Sequence, residues 1–346
     1  MRTILIAGLG SAGQRHARNL RRLLGGDVRL LAYRTTRHAP LLDDAGGAET
    51  GASVEQALGI ESFDDLGAAL AQAPDAVFVC NPTRLHVPVA LAAARAGCHL
   101  FIEKPVSADL ADTGALLSEV RARGLVTLVG YQLRFHPCLQ HAKRQLEAGV
   151  IGRLLAVEAT FAEALPRWHP WEDYRQSYAA RRELGGGVVL TQIHDLDSLT
   201  WLVGPARRVF AVGGHLSALE VDVEDTASLL MACTVDDREV PVSLHQNVVE
   251  HAPVRRYVFR GDAGTIDLDV AGNVVSTRDA SGRDVDRFAP VDFDRNQLFV
   301  DELRHFLDCL DGTAAPCVPL ADGLVSLRLA CAALDSMTRG RAVVLD

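Results

Sequence analysis

Gly8, Gly10 and Gly13 follow a short apolar run at the start of the chain, in the string G-L-G-S-A-G, with His16 just beyond. These residue types at this spacing suit a phosphate. The first glycine permits a tight turn, the second lets the backbone approach a pyrophosphate, and the third lets a helix pack closely on the preceding strand. Gly8, Gly10, Ser11, Ala12 and Gly13 are therefore expected to hold a dinucleotide, with free N–H groups and the helix dipole favouring the anion. Two further strings carry chemistry: Asn81-Pro82-Thr83 with His86, and Glu103-Lys104-Pro105. Each closes an apolar run. As a surface ion pair Glu103 and Lys104 would contribute under about 1 kcal/mol. A chain fixed at Pro105 and a place at a strand end point instead to a ligand.

For these strings to meet, one sheet must bring them to one edge. Strands are expected at Arg2–Ala7, Val28–Arg34, Ala76–Asn81, Cys98–Glu103 and Val126–Tyr131, with helices at Ser11–Leu24, Asp64–Ala73, His86–Gly97 and Asp109–Gly124. Continuous apolar strands separated by helices predict a parallel sheet covered on both faces, the α/β Rossmann arrangement. Ligands bind beyond the carboxyl ends of such strands. After about residue 132 the pattern changes. A helix is expected at Leu139–Ala148, an alternating strand at Leu154–Glu163, a polar, aromatic loop from Leu165 to Leu184, and a helix from Gly185-Gly186-Gly187 to about Val203. Strands at Arg207–His215, Thr226–Val235, Val240–Val249 and Val254–Arg260, with a hairpin around Gly264–Thr277, then succeed one another without helices, which predicts an antiparallel sheet. Helices near Asn296–Leu310 and Leu320–Thr338 and a short strand at Ala342–Leu345 close the chain. The expected division is a dinucleotide-binding domain over 1–131 and an α+β domain over 132–346.

A length of 346 residues with 48% hydrophobic and 23% charged residues suits two ordinary globular cores. A formal net charge of −9 argues against a nucleic-acid partner. No apolar stretch approaches the ~18 residues of a membrane span, and the first strand leaves no room for a signal peptide. Seven cysteines are scattered without a C-x-x-C pair. That pattern suits a reducing, cytoplasmic setting and no metal site.

Cofactor choice is read about 20 residues past the glycines, where an acid usually binds the ribose of NAD. Here the string is Tyr33-Arg34-Thr35-Thr36-Arg37, with no acid. Arg34 and Arg37 can hold a 2′-phosphate, with Thr35 and Thr36 adding hydroxyl donors. NADP(H) is thus slightly favoured over NAD(H), with use of both.

Taken together the chain resembles the glucose-fructose oxidoreductase, inositol dehydrogenase and rhizopine-catabolism (Gfo/Idh/MocA) oxidoreductases. The resemblance spans essentially the whole chain. It rests on Gly8 to His16, Asn81 to His86, Glu103 to Pro105, G-Y-Q-L-R-F-H-P at Gly130 to Pro137, G-G-G-x-x-L-x-x-x-H-x-x-D at Gly185 to Asp197, and D-G-L-V-S-L-R-L-A at Asp322 to Ala330. It implies a second domain with a large, mostly antiparallel sheet whose face builds a homodimer or homotetramer. It also implies hydride transfer between a nicotinamide and a secondary alcohol of a sugar, inositol, sugar acid or nucleotide-sugar. Asn81, Pro82, Thr83, His86, Glu103 and Lys104 would then adjoin the cofactor.

Loss of a hydride from carbon must be matched by loss of the hydroxyl proton, which needs a base of suitable pKa. By resemblance His194 is that base, Lys104 bonds the substrate hydroxyl, and Asp197 orients His194. Many relatives carry an acid where this chain has Thr191, three residues before His194. Arg134 and His136 are implied to face the substrate. So does the loop with Arg167, Trp168, His169, Trp171, Asp173, Tyr174, Arg175 and Tyr178, whose rings and donors suit a polyhydroxylated ligand. Arg134, Trp168, Tyr174, Arg175, Thr191 and His194 are the expected substrate contacts. The cations Arg134, Arg167, Arg175, Arg181 and Arg182 point to an anionic substrate. Two other readings stay open: a glycoside-cleaving enzyme that oxidises its substrate transiently, and a cofactor-sensing regulator without catalysis.

Overall fold

The structure, a computed structural model, describes residues 1–36, 39–43, 47–49 and 51–345. Its first sheet is parallel. The elements run β1 (Arg2–Ala7), α1 (Ser11–Leu24), β2 (Val28–Tyr33), a small ladder of β3 (Leu41–Leu42) with β4 (Ala48–Glu49), α2 (Val54–Leu58), β5 (Glu61–Phe63), α3 (Leu66–Leu70), β6 (Ala76–Val79), α4 (His86–Arg95), β7 (His99–Ile102), α5 (Thr113–Ala122) and β8 (Thr127–Val129). Strand order is β5-β2-β1-β6-β7-β8. Ile4 to Ala7 and every residue of β6 have no exposed surface. Strands buried on both faces lose the polar alternation of an open sheet, which is why they read as continuous apolar runs. The order reverses direction between β1 and β6, and a crevice opens there at the strands' carboxyl ends.

The second sheet follows α6 (Pro137–Glu147) and begins with β9 (Leu154–Ala162). Helices α7 (Val188–Thr191) and α8 (His194–Leu202) come next. Then run β10 (Ala206–Gly214), β11 (Thr226–Val235), β12 (Arg238–Asn247), β13 (Val254–Gly261), β14 (Gly264–Asp269), β15 (Val274–Asp279) and β16 (Asp284–Phe288). Helices α9 (Arg295–Leu310) and α10 (Leu320–Arg339) and strand β17 (Val343–Val344) end the chain. The nine strands lie in the order β16-β15-β14-β13-β9-β12-β11-β10-β17. All neighbours are antiparallel except β12 with β9.

The helix expected from Gly185 to Val203 is two helices. Gly185 and Gly187 take φ of +85 and +103, values that L side chains rarely adopt. The Thr191 hydroxyl donates back to the Gly187 carbonyl at 2.7 Å, a side-chain bond that competes with continued helix. The chain turns at Gln192-Ile193 and restarts with His194 as the first residue of α8. The elements α2, β5 and β16 are additions to the expected set: each is short, and helical or strand periodicity needs more residues than they contain.

The last helices return to the first sheet. Phe306 of α9 packs edge-on against Phe78 and Phe101 at 5.5 and 5.6 Å. Asn296 and Asn19 exchange amide hydrogen bonds between α9 and α1. Val129 N–H donates to the Val318 carbonyl at 3.0 Å just before α10. The two sheets therefore share one continuous apolar core, and the C-terminal helices of the second unit close the first.

Candidate active site

The glycine turn is built for close approach. Gly8 has φ +96, and a Cβ there would lie 2.8 Å from the Asn81 amide nitrogen. A Cβ on Gly13 would lie 2.0 Å from the Gly8 carbonyl. Gly10 faces open space. The first and third glycines thus pack the turn tightly, while the second leaves backbone bare at the crevice. This fits a pyrophosphate at the start of α1. Asn81 is held through its amide on the Leu85 carbonyl at 3.2 Å, and its Oδ1 is buried without a partner. Thr83 is buried against Gly185 of the glycine triplet, whose Cβ would meet it at 2.9 Å. The strings expected at one edge are therefore together, and the second unit touches them.

Two histidines lie behind this edge. Both ring nitrogens of His86 face carbonyls, Pro105 at 2.8 Å and Asn81 at 2.7 Å. His86 is buried and ties the Asn81 and Pro105 loops together. Burial pushes its pKa down, opposed by the two carbonyls. His16 Nε2 meets Glu103 Oε1 at 2.7 Å inside a ring of Phe78, Phe101 and Phe299. Glu103 is thereby held by α1, and its other oxygen accepts from the Lys104 backbone N–H at 3.3 Å.

At the ribose edge, Arg34 is buried and engaged. Its Nη1 meets Glu55 Oε1 at 3.1 Å and its Nε donates to the Thr36 carbonyl at 3.1 Å. Thr35 and Thr36 are exposed. Arg37 lies outside the described residues.

Lys104 reaches across the two units to the segment that carries His194. It lies two residues past the end of β7, its bond to Pro105 is cis, and its Nζ donates to the Thr191 carbonyl at 2.9 Å. Burial lowers its pKa to about 8, with Arg255 and Arg295 adding to the fall and Glu103 and Asp195 opposing it. His194 is 5% exposed. Its ring stands edge-on to Tyr131 at 6.0 Å, and its Nδ1 has no partner. Burial first, then Lys104, Arg255 and Arg295, hold its pKa well below 6.5. A neutral imidazole beside an ammonium is a proton acceptor paired with an electrophile.

Several expected roles change. Asp197 does not touch His194. It takes a bidentate pair from Arg134, Nε to Oδ2 at 2.9 Å and Nη2 to Oδ1 at 2.8 Å, and both side chains are largely buried. Breaking such a pair costs about 3–5 kcal/mol, so the pair holds Arg134 firmly against α8. Thr191 is buried with its hydroxyl spent on Gly187, and its carbonyl is what reaches the site. His136 caps α6, accepting from Cys138 N–H at Nδ1 and facing Asn273 Oδ1 at 3.2 Å.

Tyr174 and Arg175 lie at the surface. Arg175 pairs with Asp173 and Glu220 and covers the Tyr174 ring at 5.0 Å, and the Tyr174 hydroxyl accepts from Glu220 N–H. Arg167 donates to the His251 carbonyl, Arg181 pairs with Glu183, and Arg182 bonds the Asp222 carbonyl. The cations first read as a signal for an anion are thus occupied. Trp168 packs on Phe161 at 6.3 Å, with its Nε1 buried and unpartnered.

Other residues complete the site. Asp195, buried beside His194, takes Arg255 Nε at 3.1 Å and the Tyr257 hydroxyl, while Arg255 Nη2 reaches Gln192 Oε1 at 2.6 Å. Arg255 also covers the Phe161 ring at 4.5 Å. Arg295 completes the cations acting on His194. Asp195 stands inside the Gly185–Asp197 string and was within reach of sequence reading. Arg255 and Arg295 stand far along the chain in no motif, and only the fold brings them here. Among the described residues no group of three or more His, Cys, Asp or Glu side chains could hold a metal ion.

Comparison with known proteins agrees with this fold. Residues 2–131 match the model of an oxidoreductase family with an NAD-binding Rossmann fold, and residues 139–267 match the GFO/IDH/MocA C-terminal domain. The chain is 27% identical to the scyllo-inositol 2-dehydrogenase (NAD(+)) of Bacillus subtilis, over 99% of this chain and 95% of that protein. It is 30% identical to the uncharacterized oxidoreductase YrbE of the same organism, over 79% and 78% of the two chains. A levoglucosan dehydrogenase solved with NADH superposes with a TM-score of 0.83 over 100% of this chain and 99% of that one, at 18% identity, a likeness of fold.

Proposed function

Because the chain belongs to the GFO/IDH/MocA oxidoreductase family, we propose that Lys104 and His194 handle the proton that must move when its substrate alcohol is oxidised. The protein is a nicotinamide-dependent dehydrogenase acting on a secondary alcohol of a sugar-like molecule. The turn at Gly8, Gly10 and Gly13 would hold the pyrophosphate of a nicotinamide dinucleotide, which would supply the hydride acceptor. His194 takes the hydroxyl proton at its ring. The Lys104 ammonium donates to the same oxygen and stabilises developing alkoxide character. One observation carries this reading: Lys104 Nζ is anchored on the carbonyl of Thr191, in the segment that delivers His194. The test is turnover of a panel of inositols, sugars and sugar acids, followed by nicotinamide absorbance. Lys104→Ala and His194→Ala should each lose roughly 10²–10⁴ in kcat while binding NADH as the parent does. Unchanged kcat in either variant would remove that residue from the reaction.

NAD(H) is the cofactor that the Rossmann match supports. For NADP(H), the reading is dual use. The string Tyr33 to Arg37 carries no acid to bind a ribose 2′-hydroxyl, and Thr35 and Thr36 offer exposed hydroxyls. Arg34 joins only by exchanging Glu55 for the phosphate. Glu55→Gln should therefore raise kcat/KM for NADP(H) relative to NAD(H), and Arg34→Ala should lower it. A ratio that neither substitution moves would leave the enzyme NAD-selective.

The outer face of the nine-stranded sheet is the proposed subunit contact of a homodimer or homotetramer. Phe210, Val212 and Leu230 are 39%, 54% and 56% exposed on it, an apolar patch of the kind that marks association. A monomer in sedimentation at micromolar concentration would contradict this. Seven free thiols support a reducing compartment, and no helix among the described residues is long and apolar enough to cross a membrane.

A further inference from the structure

The His194 ring has no acid of its own to orient it. Among the described residues its buried Nδ1 has no partner, and Asp197, one helical turn on, is taken up by Arg134. His194 is also the first residue of α8, directly after the break at Gln192-Ile193. A ring in that place is set by whatever fixes the turn behind it.

The turn is held from the nine-stranded sheet. Arg255, on β13, donates from Nη2 to Gln192 Oε1 at 2.6 Å and from Nε to Asp195 Oδ1 at 3.1 Å. One guanidinium thus grips the residues on both sides of Ile193-His194. The group is planar, so the spacing of its two contacts is fixed. Its own place is fixed as well, because it lies at 4.5 Å over the ring of Phe161, its cross-strand partner on β9. Gln246 of β12 donates to the Gln192 carbonyl at 2.8 Å and to Asp195 Oδ2 at 3.2 Å. The Tyr257 hydroxyl, two residues past Arg255, donates to Asp195 Oδ1. Across the turn the Gln192 carbonyl also accepts from Asp195 N–H at 3.2 Å.

We propose that Arg255 is a positioning residue for the reaction: by clamping Gln192 and Asp195 it sets where the His194 ring stands when that ring takes the substrate proton. This rests on the dehydrogenase reading and adds a residue that acts through its base. Position matters steeply, since a misplacement of about 1 Å can cost about 10²-fold in rate. The charge of Arg255 has a second effect. With Lys104 and Arg295 it helps to keep the imidazole unprotonated, while Asp195 pairs with Arg255 and the Tyr131 ring stands edge-on to His194.

The test separates position from charge. Arg255→Lys keeps the charge but cannot reach both partners with one planar group. Its kcat, counted per NADH-binding site, should fall roughly tenfold to a hundredfold, while NADH affinity and the acid limb of kcat/KM stay parental. Arg255→Gln should lower kcat likewise and also move the acid limb upward, because one cation no longer acts on His194. Gln192→Leu removes one arm of the clamp and leaves the Arg255–Asp195 pair. It keeps the test open should the arginine variants fail to fold, and its kcat should fall with Tm and NADH affinity close to the parent's. Histidine NMR of the NADH-loaded enzyme reads the ring without any turnover. The His194 signal, assigned by its absence in His194→Gln, should be displaced in both Arg255→Lys and Gln192→Leu. Parental kcat in both variants, or a His194 signal unmoved in both, would overturn the proposal. If the parent turns over no member of the substrate panel, the dehydrogenase reading fails, and the His194 signal still decides whether Arg255 places the ring.

Discussion

Lys104 performs its part because its surroundings make an ammonium costly. Burial brings its pKa from 10.5 to about 8, so at pH 7 it is charged but can give up its proton readily. His194 is displaced in the opposite functional sense. Its pKa lies well below 6.5, so near neutrality it is unprotonated and able to accept. The signs fix a pH profile. Activity needs neutral His194 and charged Lys104, so kcat/KM should hold across neutral pH and fall as pH rises through about 8. Its acid limb should lie below 6.5. A profile still rising above pH 9 would show that the Lys104 ammonium is not required. At this scale the sequence singles out the glycines and Lys104 through strings at strand ends, and His194 through a family resemblance. It could not reveal that Arg134 is consumed by Asp197 or that Arg175 is consumed by Glu220. A cation's partner is a matter of tertiary position, and the same arginine reads identically whether paired or free.

Among the elements, the break between α7 and α8 matters most. Periodicity alone predicts one helix there, since both halves are apolar and buried. The turn exists because Gly187 adopts φ +103 and because the Thr191 hydroxyl bonds back to it. Glu224 closes over the same spot. Its Oε1 accepts from Val189 N–H at 3.2 Å, and burial raises its pKa to about 7. A Cβ on Gly187 would lie 2.2 Å from that carboxylate. Gly187→Ala should therefore cost about 1–3 kcal/mol from backbone strain, with further loss from displaced Glu224, seen as a lower Tm. It should also shift α7, and with it the Thr191 carbonyl that anchors Lys104, so kcat should fall more than cofactor affinity. A variant with parental Tm and kcat would show that the turn tolerates a side chain and does not position the site. The strands of both sheets were legible from continuous or alternating apolar runs. A short piece such as β5 was not, because three side chains do not establish a period.

In the whole molecule, neither unit holds a complete site. The Rossmann sheet presents the glycine turn, Asn81, Thr83 and Lys104 at its switch point. The second unit presents Thr191 and His194 from α7 and α8, Arg255 from β13 and Arg295 from α9. The C-terminal helices then lock the arrangement. Phe306 inserts against Phe78 and Phe101 beneath the crevice, and Asn296 grips α1. A division near residue 131 follows from the change of sequence pattern, but the return of α9 and α10 onto the first sheet does not, since nothing local to a helix states which sheet it will cover. The central claim is that this junction assembles a proton-handling pair around a substrate alcohol. Single-turnover nicotinamide reduction by enzyme preloaded with NAD and a turned-over substrate tests it most directly, comparing parent with Lys104→Ala. The predicted result is a hydride-transfer rate lower by roughly 10²–10⁴ with cofactor still bound at parental affinity. A parental hydride-transfer rate in Lys104→Ala would contradict the account.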